Sequence, residues 1–142
     1  MRIAIGADHG GFEYKEQILL YLKDNGYDVV DCGTNSIEAC DYPIFAKSVA
    51  NMVASNRADR GILICGTGIG MSIVANKVRG IRAALCSDLF SAKATREHND
   101  SNILCMGARV IDLSLALNIT QTWLETDFSG EERHIRRIGM IE

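Results

Sequence analysis

Between Arg60 and Ala75 (RGILICGTGIGMSIVA) an apolar run ends in a cysteine, and a loop with three glycines leads into the start of a helix. Cys65 closes the run, and Gly66-Thr67-Gly68-Ile69-Gly70 follows at once. A glycine-rich turn into a helix gathers backbone N–H groups, which favour negative charge. A thiol in the same place has its thiolate favoured. A base beside an anion-stabilising loop suits removal of a proton from carbon. The dinucleotide fingerprint would need glycine where Met71 stands, and no Gly-Lys-Ser/Thr follows, so the loop is not read as a nucleotide site. Cys86 and Cys105 have no such loop and read as small apolar core residues.

Other polar groups lie at the ends of apolar runs. Asp8-His9-Gly10-Gly11 follows the first run and Arg109 follows the last. His98-Asn99 comes just before that last run, and spacing alone does not say at which edge of a sheet it lies. His98 ends a predicted helix, where the dipole favours a cation. Arg133 and Arg137 are four apart and share a helical face, either as a solvated basic face or as a phosphate clamp. His134 is expected on a solvated face. The spacing of Asp8, His9 and His98 matches no metal-site pattern, and no metal or organic cofactor is called for.

These groups need a scaffold. Arg2–Ala7, Tyr27–Asp31, Gly61–Cys65, Arg82–Cys86 and Asn102–Met106 read as strands. Helices are predicted over Phe12–Asn25, with Gly26 as its C-terminal cap, and over Pro43–Asn56, Ile69–Lys77, Asp88–His98 and Asp112–Thr126. A further helix at about 131–142 is expected to reach toward a partner copy. Alternating strands and helices imply a parallel sheet covered on both faces. The runs at 61–65 and 102–106 lack alternation, as strands buried on both faces do, whereas Tyr27–Asp31 alternates and is expected at an edge. The helix at 112–126 is apolar around most of its circumference (Leu113, Ala116, Leu117, Ile119, Thr120, Trp123, Leu124), so it is expected to be central or covered by a second subunit.

The 142 residues make one domain. A formal net charge of −3 gives no reason to expect nucleic acid or an anionic membrane as partner. The longest uncharged stretch is shorter than a membrane-spanning helix and rich in glycine. Five cysteines without a Cys-x-x-Cys pair fit a reduced, cytoplasmic protein.

Several separated motifs occur in order: Asp8-His9-Gly10-Gly11, Asp41-Tyr42-Pro43, Cys65-Gly66-Thr67-Gly68-Ile69-Gly70-Met71-Ser72, Ala75-Asn76-Lys77, Gly80-Ile81-Arg82-Ala83, Arg96-Glu97-His98-Asn99-Asp100 and Arg133-His134. In this combination the chain resembles the type B ribose-5-phosphate isomerases, whose family includes galactose-6-phosphate isomerase subunits and an allose-6-phosphate isomerase. The resemblance implies a Rossmann-like three-layer α/β/α sandwich around a five-stranded parallel sheet. It implies interconversion of ribose 5-phosphate and ribulose 5-phosphate through an enediolate, without a cofactor. The alternatives are isomerisation of a six-carbon sugar phosphate, allose 6-phosphate or galactose 6-phosphate, and a non-catalytic sugar-phosphate-binding module. It also implies a homodimer, or a tetramer of paired dimers, with each site drawing on two subunits. By the same resemblance Cys65 is the base, and His98, assisted by Thr67, opens the sugar ring. Asp8, His9, Gly66, Gly68, Ile69, Gly70 and Asn99 contact the sugar and enediolate, and Arg109, Arg133 and Arg137 bind phosphate. One departure stands beside the clamp: Glu131 and Glu132 occupy positions where relatives often carry glycines.

Overall fold

The computed structural model describes residues 1–142. The elements alternate as expected: β1 (Arg2–Ala7), α1 (Phe12–Asp24), β2 (Asp28–Asp31), α2 (Tyr42–Ala54), β3 (Arg60–Cys65), α3 (Ile69–Ala75), β4 (Ala83–Leu85), α4 (Leu89–Asn99), β5 (Ile103–Gly107), α5 (Leu113–Glu125) and α6 (Glu132–Gly139). Helix starts and stops have local causes. The Asp88 and Asp112 carboxylates accept the backbone N–H groups of Ser91 and Leu115 at the starts of α4 and α5. Gly26, at φ +82°, donates its N–H to the Lys23 carbonyl and ends α1.

All pairings in the sheet are parallel, in the order β2-β1-β3-β5-β4. Side-chain alternation divides the central strands between two cores. Ile3, Ile5, Ile62, Ile64, Leu104 and Met106 pack against α1, α4 and α5. Ala4, Leu63, Cys65, Ile103 and Cys105 pack against α2 and α3. This is the expected α/β/α sandwich, and β2 is at an edge as its alternation predicts. The other edge, β4, is three residues long, shorter than the run at 82–86 suggested.

α5 differs from expectation. Ala116, Ile119, Thr120, Trp123 and Leu124 are buried within this chain, while Ser114, Asn118, Gln121 and Glu125 face outward. The helix is covered by its own sheet and needs no second subunit. No helix is long and apolar enough to cross a membrane.

Chain order reverses beside β1, which lies between β2 and β3. The gap between β1 and β3 is therefore the topological switch point, where open parallel sheets hold ligands beyond their carboxyl ends. Ala7 pairs with Ile64, so the loops beginning at Asp8 and Cys65 leave the sheet level with each other.

Candidate active site

Tight backbone contacts bring the two loops together. An Asp8 carboxylate oxygen accepts the N–H groups of Gly10 at 2.9 Å and Gly11 at 3.2 Å, which turns the chain into α1. Gly11 lies against the Ile64 carbonyl with no room for a side chain. The neighbouring loop is held from β5, where the N–H groups of Ala108 and Arg109 each donate at 2.9 Å to the carbonyls of Cys65 and Gly66. Gly68, at φ +78°, has Leu85 and the Met106 backbone where a side chain would go, so both its conformation and its space demand glycine.

Within this frame Cys65 is 6 % exposed, and the Gly68 N–H donates to its Sγ at 3.1 Å. The Thr67 hydroxyl accepts the Ile69 N–H at 3.2 Å. The N–H groups of Gly66, Thr67 and Gly70 have no acceptor in the chain. A sulfur, converging amide dipoles and free donors thus share one place, a setting that suits an oxyanion. The Arg109 side chain lies over Gly66, bringing a guanidinium to the same edge.

His9 is fixed by a loop that sequence reading did not connect to it. The Cys40 N–H donates to His9 Nδ1 at 3.2 Å, which leaves the ring proton on Nε2. Lys15, fully buried in the first turn of α1, anchors the start of that loop. Its ammonium donates to both Asp31 oxygens at 2.9 and 2.8 Å and to Glu16 at 2.9 Å. Asp31 in turn accepts the Gly33 N–H at 2.9 Å. Nowhere do three His, Cys, Asp or Glu side chains converge as metal ligands.

The remaining predicted site residues lie elsewhere. His98 and Asn99 form the last turn of α4, which runs antiparallel to the strands and ends at their amino edge. Arg82, just before β4, marks that edge: its guanidinium donates to the carbonyls of Asn99 and Asp100 at 2.9 Å. Arg96 holds the same turn through Asp100 and the Ser101 carbonyl. Arg137 joins this group, lining a cavity of about 370 Å³ with His98, Asn99, His134, Ile138 and Ile141. Arg133 extends from the same short helix and pairs with Glu131 at 3.0 Å. A strand of six residues, at about 3.3 Å each, puts roughly 15–20 Å between this cluster and Cys65.

His134 is not on a solvated face. It is 6 % exposed, its ring stacks on His98 with centroids 4.6 Å apart, and its Nε2 has no hydrogen-bond partner. Burial, then the neighbouring His98 and Arg133, hold its pKa below the ordinary histidine value. The only hint in the sequence was the Arg133-His134 motif, because Ile135, the apolar neighbour of His134 in this eight-residue helix, is exposed and so does not mark the buried face.

A family model described as Ribose/Galactose Isomerase matches residues 3–141. Ribose-5-phosphate isomerase B of Escherichia coli strain K12 is 49% identical over 140 residues, covering 99% of this chain and 93% of that protein. D-erythrulose-4-phosphate isomerase of Pectobacterium atrosepticum is 42% identical over 149 residues, covering 100% of this chain and 95% of the relative. The solved structure of Clostridium thermocellum ribose-5-phosphate isomerase B superimposes with a TM-score of 0.98 at 54% identity, covering 99% of this chain and 95% of that one.

Proposed function

The chain belongs to the ribose/galactose isomerase family and is a sugar-phosphate isomerase, and we propose that it interconverts ribose 5-phosphate and ribulose 5-phosphate through an enediolate. The observation that carries this reading is the Gly68 N–H donating to Cys65 Sγ at the switch point of the sheet. Cys65, as the thiolate, removes the proton from carbon 2 of the open aldose. The electron pair forms the bond between carbons 1 and 2 and leaves the negative charge on the carbon 1 oxygen. The free N–H groups of the 66–70 loop meet that oxyanion, each donor contributing about 3–4 kcal/mol in sites of this kind. The proton returns to carbon 1, and the hydroxyl proton of carbon 2 passes to the carbon 1 oxygen, which leaves the ketose. Asp8 and His9 orient the sugar hydroxyls, and Arg109 lies ready for the phosphate.

Opening the furanose requires His98, which no single copy brings near Cys65. We therefore infer that a second copy supplies His98, Asn99, Arg133 and Arg137, so that the site forms between the carboxyl edge of one chain and the amino edge of another. The surface around the glycine loop supports this pairing. Ile69, Ile73, Leu85, Leu89 and Phe90 are exposed there, Phe90 at 82 %, and Leu85 lies directly over Gly68.

The test is incubation with ribose 5-phosphate, allose 6-phosphate and galactose 6-phosphate in turn, following ketose formation. The expected result is the highest kcat/KM with ribose 5-phosphate. A higher value with either six-carbon sugar moves the substrate assignment to that sugar, and no ketose from any of the three overturns the mechanism.

A further inference from the structure

We propose that His134 is the positioning residue for His98: its ring is the platform that holds the His98 imidazole in the plane needed to open the furanose. The inference rests on the isomerase reading above.

α6 buries one side chain, and it is this polar one. Stability does not explain the choice, because a buried ring nitrogen without a partner is destabilising and an apolar side chain would avoid it. What the position does provide is a flat surface under His98, the two rings being inclined by 19°. The linker before α6 is tied to α4 by the Ser129 N–H donating to the Glu97 carbonyl at 3.2 Å, next to His98 in the chain.

A stack suits this chemistry better than a hydrogen bond to the His98 ring. In ring opening a proton goes to the ring oxygen as its bond to carbon 1 breaks, and the anomeric hydroxyl gives up its proton as the carbonyl forms. His98 handles both transfers, so both ring nitrogens must stay available at the edge. A hydrogen bond would occupy one of them, whereas a stack grips the face and leaves the edge free. Burial, then His98, Arg133 and Arg137, lower the His134 pKa, with Glu131 opposing them.

The experiment compares His134→Leu, which fills the space without a flat face, with His134→Phe, which keeps one. Each is assayed with ribose 5-phosphate and with erythrose 4-phosphate, an aldose whose phosphorylated carbon 4 oxygen cannot close a furanose. His134→Leu is expected to lower kcat on ribose 5-phosphate about tenfold or more while staying within about twofold of wild type on erythrose 4-phosphate. His134→Phe is expected to stay within about threefold of wild type on both sugars. An equal loss on the two sugars, no loss in the leucine variant, or a phenylalanine variant as impaired as leucine would overturn the proposal. Should wild type turn over only the five-carbon sugar, the difference between leucine and phenylalanine on it decides the question. Wild type inactive on both sugars refutes the substrate reading instead, and that result is read before any variant is made.

Discussion

Thiols inside proteins are ordinarily inert, because burial disfavours the anion. Three cysteines of this chain behave so: burial pushes Cys32 up, Cys86 up to about 11 and Cys105 higher still. Cys65 lies in the same core but at the end of its strand, where a backbone N–H reaches the sulfur. Replacing Cys65 with Ala is expected to lower kcat by at least about 10²–10⁴ while calorimetry still detects ribose 5-phosphate binding. Turnover within about tenfold of wild type would assign the base to another group. This residue was legible in the sequence because the cause is local: a strand end, three glycines and a helix start within six positions. The support of His9 by Cys40 was not legible, since the two are 31 positions apart and joined through a backbone N–H that no residue type announces.

At the level of elements, the strands and the first five helices could be read from the sequence, and their ends fall within about two residues of expectation. β4 loses one residue at each end, at an edge where only one neighbour pairs with it. α6 is the exception, because its placement depends on a polar ring rather than on an apolar stripe. That dependence has a pH consequence. The unfolded chain takes up a proton on this histidine near 6.5, whereas the folded chain holds it off to lower pH. Between those values the unfolded state binds more protons, so stability rises with pH and is lost on acidification through the window. The melting temperature of wild type is therefore expected to fall more steeply than that of His134→Phe between about pH 7 and pH 5. Equal slopes would show that the imidazole stays paired to the fold whatever its charge.

For the whole molecule, the decisive fact is that Cys65 and His98 lie at opposite edges of one sheet. If each site combines both edges, Cys65→Ala and His98→Ala chains are each inactive but complement one another. After denaturation and refolding together, half of the dimers are mixed and each has one intact site. About a quarter of wild-type activity is then expected at equal amounts of the two chains. No recovery, measured alongside mixed-dimer formation by mass spectrometry, would require both groups to act within one copy. The amino-acid sequence by itself determined the elements, the glycine loop with its sulfur, and the motifs that indicated a sugar-phosphate isomerase, all of them properties of neighbouring residues. Only the tertiary structure decided which edge each motif occupies, that α5 is covered by its own sheet, and that His134 lies under His98. Those depend on strand order and helix packing, which join residues whose separation along the chain carries no periodic signal.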